Sequence, residues 1–183
     1  LDEKNHFCHG KFLIEGTSTN RVTFTGRPAG GGNPAQEGVV SGFPSYSGSP
    51  YSGTQLSEFK IHYADCENAF FDMKYFQTKL STKEVLNSNF LRTIPAATRS
   101  PFVRIDKPFG HSSSPFFLAF NQIEVEGSTF LNTYAGTENP GYKGFGVEIV
   151  RSPVVSISGS DFGNMHTGAI VSTSFLMSVS NCN

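Results

Sequence analysis

The chain has 183 residues, enough for one domain with a sizeable core. Its 14 basic and 15 acidic residues leave a formal charge of −1, which removes the electrostatic case for nucleic acid or for polybasic membrane-surface binding. No apolar run approaches the roughly 18–20 residues that a spanning helix needs. Charged residues make up only 16%, while 19 Gly and 10 Pro supply many turns, a balance that predicts an all-β protein.

The chain opens on Leu1 without an initiator Met or a charged-then-apolar leader, as expected of a processed or truncated N-terminus. Gly10–Gly26 reads as an apolar strand, a polar corner and a second strand, Val22-Thr-Phe-Thr25. A long loop is predicted over 27–55, with Gly30-Gly-Gly-Asn-Pro34 and Phe43-Pro-Ser-Tyr-Ser-Gly-Ser-Pro-Tyr-Ser-Gly53. That composition forbids a regular element. The glycine run lacks the Lys and Ser/Thr that complete a phosphate-binding loop, which argues against a nucleotide site.

From there the chain repeats. Phe59–Asn68, Lys83–Arg92, Ile123–Asn132 and Val155–Asn164 align without gaps, and Met177–Asn183 starts a further copy. The last two complete copies lie 32 positions apart, and the next begins 22 positions later; an insertion loop at 93–114 stretches one interval to 40. The third column is Ile61, Val85, Val125, Ile157 and Val179, all β-branched. The sixth is Ala64, Ser88, Ser128, Ser160 and Cys182, all small. The eighth is Cys66, Phe90, Phe130 and Phe162, and the tenth is Asn68, Arg92, Asn132 and Asn164. Period-two alternation marks strands with one buried face, and the small-then-aromatic pair fits a tight corner followed by another inward side chain. A stacked asparagine column can pass amide hydrogen bonds from coil to coil.

A second strand family lies between the copies: Phe102–Ile105, Gly146–Ile149 and Gly168–Val171. Val103, Val147 and Ala169 are expected to point inward, as are Ile105, Ile149 and Val171. Repeats of this length with variable loops predict a solenoid, in which like side chains stack about 4.8 Å apart.

The Gly10–Gly26 segment, Leu56–Asp65 and the closing Val179-Ser-Asn-Cys-Asn183 resemble coils of secreted right-handed parallel β-helix proteins, the pectate-lyase-like superfold. Bacterial surface proteins, phage tailspikes and polysaccharide lyases share such coils. The resemblance covers most of the chain and implies one β-helix domain over 1–183, extracellular or on a cell surface. It specifies architecture far more than function. The last repeat stops one residue before its aromatic position, so the chain is expected to be part of a longer β-helix. Uncapped ends imply association with other chains.

Two functions compete. One is a structural or binding module contacting polysaccharide or other surface proteins. The other is a polysaccharide lyase or glycoside hydrolase acting on an acidic or surface glycan, as a tailspike depolymerase does. Phe43, Tyr46 and Tyr51 are the candidate sugar-contacting side chains of the long loop. For a lyase, Arg104, Lys107 and Arg151 are the cations available to neutralise a uronate carboxylate. Arg104 and Glu148 occupy matching outward positions and are expected to pair, while Lys107 and Arg151 would place like charges together. Asp65, Glu67 and Asp72 could serve as paired carboxylates of the kind glycosidases use, or as oxygen ligands for calcium. No other cofactor is expected, and no zinc spacing connects Cys8, Cys66 and Cys182. His6 and His9 flank Cys8 too close to the terminus to suggest a metal centre.

Overall fold

A computed structural model describes residues 6–7, 10–26, 38–42, 56–74, 82–94, 100–106, 122–134, 144–150, 154–172 and 176–183. Among these residues there is no helix, and hence none able to cross a membrane. The strands are β1 (His6–Phe7), β2 (Gly10–Glu15), β3 (Val22–Thr25), β4 (Gly38–Gly42), β5 (Leu56–His62), β6 (Ala64–Glu67), β7 (Ala69–Lys74), β8 (Thr82–Leu86) and β9 (Asn89–Arg92). They continue with β10 (Pro101–Asp106), β11 (Gln122–Glu126), β12 (Thr129–Asn132), β13 (Phe145–Val150), β14 (Val154–Ser158), β15 (Asp161–Gly163), β16 (Thr167–Ser172) and β17 (Leu176–Ser180).

Every third strand belongs to the same sheet. The first sheet runs β1-β4-β7-β10-β13-β16, the second β2-β5-β8-β11-β14-β17 and the third β3-β6-β9-β12-β15. All described pairings are parallel, and the chain visits the three sheets in rotation. This arrangement is consistent with a parallel β-solenoid. The sequence repeat spans two of the sheets, because it bends at its fifth column. Three strands therefore make each rung, where the periodicity suggested two families. β4 falls inside the 27–55 segment expected to hold no regular element, and β10 inside the 93–114 loop; pairing in register with β7 makes strands of both.

The bend has a simple cause. Tyr63, Asn87, Gly127, Gly159 and Asn181 occupy the fifth column, and all are left-handed, with φ of 48°, 50°, 57°, 54° and 51°. Gly and Asn are the residues that adopt this conformation most cheaply. The ladder continues through the bend: Asn87 N–H donates to Glu126 C=O at 2.8 Å, and Gly127 N–H to Ser158 C=O at 3.0 Å. Directly after it comes the small sixth column. Ser128 Oγ accepts from Ser88 N–H at 3.2 Å and donates to Glu126 C=O at 3.1 Å. Ser88 and Ser160 repeat the pattern, receiving Ala64 N–H and Ser128 N–H. Serines at three successive rungs thus satisfy main-chain groups that the corner would otherwise bury unpaired.

Inside, the columns stack as the repeat predicts. Ile14, Ile61, Val85, Val125, Ile157 and Val179 lie in register across the second sheet. In the third sheet Phe24, Cys66, Phe90, Phe130 and Phe162 align. Phe90 and Phe130 stack at 4.8 Å and 8°, Phe130 and Phe162 at 5.1 Å and 5°. The first sheet contributes Phe71-Val103-Val147-Ala169 and Met73-Ile105-Ile149-Val171, which includes both expected inward triplets.

The tenth column passes side-chain amide hydrogen bonds from coil to coil. Asn68 Oδ1 accepts from Thr93 N–H and its Nδ2 donates to Thr93 Oγ1, both at 2.8 Å. Asn164 Nδ2 donates to Asn132 C=O at 2.8 Å. These coil-to-coil bonds run from amide to main chain or hydroxyl, because Asn68 and Asn164 are themselves left-handed corner residues, with φ of 50° and 53°. Arg92 is fully buried in register with Asn132; its Nη2 donates to Ser100 C=O at 3.1 Å, and its guanidinium lies 4.2 Å from the Phe102 ring centre.

Candidate functional site

The outward face of the first sheet carries Arg104, the one cation of the lyase set that falls among the described residues. Strand alternation turns Val103 and Ile105 into the core and Arg104 outward. Register places Asp72 on one side of Arg104 and Glu148 on the other. Arg104 Nε donates to Glu148 Oε2 at 2.6 Å, and Nη1 lies 4.0 Å from Asp72 Oδ2. The guanidinium carbon also sits 5.5 Å from the centre of the Phe70 ring. The expected Arg104–Glu148 pair is therefore present, on adjacent rungs. Its chemical effect is to occupy the guanidinium. A cation shared by two carboxylates has little positive potential left for a uronate, and the row sums to one negative charge.

Two partners of Arg104 were missed by sequence reading. Asp72 and Phe70 lie on β7, which was not aligned with the second strand family. The Phe71-x-Met73 alternation was the available signal.

Lys107, Arg151, Phe43, Tyr46 and Tyr51 lie outside the described residues. In the sequence, Phe43 follows β4 directly, Lys107 follows β10 and Arg151 follows β13. Phe43, Lys107 and Arg151 thus each come directly after a first-sheet strand in sequence.

The three carboxylates considered for calcium do not converge. Asp65 and Glu67 belong to the third sheet and Asp72 to the first. Asp65 Oδ1 accepts from Arg21 Nε at 2.9 Å and Asn89 Nδ2 at 2.7 Å. Arg21 also donates to Ala64 C=O at 2.9 Å and Asn87 C=O at 3.0 Å, fastening the first corner onto two later rungs. Among the described residues no group of three or more His, Cys, Asp and Glu side chains is arranged to hold a metal ion.

The second sheet's outer face is laced similarly. Lys11 Nζ lies 3.2 Å from Glu58 Oε1, and Lys60 Nζ 3.8 Å from Glu15 Oε1. His62 Nε2 approaches Glu84 Oε2 to 2.9 Å, without the alignment of a hydrogen bond.

Two interior groups have displaced acidities. Burial pushes the Cys66 thiol up to about 12, with neighbouring Asp65 adding to the rise and Arg21 opposing it. A thiol held neutral inside a phenylalanine stack is a packing group, not a nucleophile. Lys83 stands 1% exposed in the inward column between Phe59 and Ile123, and burial lowers its ammonium to about 7.

No family model, no curated protein and no solved structure matches this chain.

Proposed function

We propose that the chain is a stretch of right-handed parallel β-helix serving an extracellular or cell-surface protein as a structural and binding module. The rotation of the chain through three parallel sheets supports the β-helix, and right-handed crossover is the rule for parallel strands in one sheet. The secreted setting rests on the resemblance of the coils to those of surface β-helix proteins.

One observation carries the preference for a module over a lyase. Arg104, the described cation of the lyase set, is held by Glu148 at 2.6 Å with Asp72 on its other side. Catalytic neutralisation of a substrate carboxylate needs a cation whose charge is not already answered. Polysaccharide is the proposed ligand class, with Phe43, Tyr46 and Tyr51 offering rings to sugar faces.

A glycan-binding and turnover assay tests this reading. The wild-type chain is compared with Lys107→Ala/Arg151→Ala and with Phe43→Ala/Tyr46→Ala/Tyr51→Ala over a panel of acidic and neutral glycans. Saturable binding lost in the aromatic triple variant, without new unsaturated or reducing sugar ends, supports the module. Turnover lost in the cation double variant would replace it with a lyase or hydrolase.

A further inference from the structure

We draw no further inference here: the strongest candidate, the side-chain cluster of Glu84, Glu124 and Glu126 beside His62 on the outer face of the second sheet, is an acidic cluster with no second feature among the described residues that points to a ligand.

Discussion

Phe90 and Phe130 lie face to face with ring centres 4.8 Å apart and planes within 8°, the separation of neighbouring strands in a sheet. Isolated aromatic pairs prefer offset or edge-on geometry. Here the parallel register imposes the stack, since both rings rise from matched positions of β9 and β12. Phe162 extends it on one side, while Phe102 packs against both rings from the first sheet.

Phe130→Ala should therefore remove a ring with neighbours on three sides. The expected cost is roughly 3–5 kcal/mol, because a rigid column cannot collapse into the space. Urea denaturation checks this. A loss below about 1 kcal/mol would mean that Phe130 is not enclosed.

Asn87 and Gly127 stack at the left-handed corner, and a Cβ on Gly127 would lie 2.6 Å from Asn87 Oδ1. Gly127→Ala thus meets an unfavourable φ and a side-chain clash together, and should lose about 1–2 kcal/mol or more. Asn87→Gly removes the obstructing amide. Placed in one chain, the two changes should cost measurably less than their separate losses combined. Strict additivity in a double-mutant cycle would show that the corner residues do not meet.

Lys83 makes stability depend on pH. Its folded-state pKa, lowered from 10.5 to about 7, means that the unfolded chain binds more protons between those values. Stability from this group must rise as pH rises from about 7 to 10.5, and the full penalty persists below 7. Cys66 acts in the opposite direction, since a thiol raised from 9.0 to about 12 costs stability as pH rises through that window. Comparing wild type with Lys83→Met isolates the lysine. The variant should be more stable at pH 6 by an amount on the order of a few kcal/mol, with the difference shrinking toward pH 10. A difference independent of pH would contradict the account.

The thiols offer a further check. In a Cys8→Ser background, Cys182 should react with a thiol reagent in the native state, while Cys66 should react only on unfolding. Burial and a pKa near 12 both suppress the Cys66 thiolate. Equal rates for the two would place Cys66 at the surface.

The inward columns were readable because a parallel in-register stack repeats its chemistry. Ile61, Val85, Val125, Ile157 and Val179 align in sequence for the same reason that they align in space. The corner was visible too, since Asn87, Gly127, Gly159 and Asn181 share one column, but Tyr63 masked the signal by being neither Gly nor Asn. Lys83 and Arg92 defeated the pattern for another reason. Periodicity reports which face a residue occupies, not whether a long charged side chain can be accommodated there. Arg92 needs the Phe102 ring and Ser100 C=O, contacts that no spacing rule encodes. Arg104–Glu148 was foreseeable from alignment of two strands, whereas Asp72 required a third that the repeat did not include.

At each rung the chain climbs the second sheet by one strand. Leu13, Lys60, Glu84, Glu124, Ser156 and Ser178 form a single outward row of the second sheet. Spin labels on cysteines introduced pairwise in a background lacking Cys8, Cys66 and Cys182 measure that row by pulsed electron resonance. Backbone separations from Ser178 should be about 24 Å to Leu13, about 19 Å to Lys60 and about 14 Å to Glu84, broadened by the label tethers. Distances that fall by about 4.8 Å at each step bear out the stacked rungs. A Leu13–Ser178 separation no longer than the Glu84–Ser178 one would contradict them.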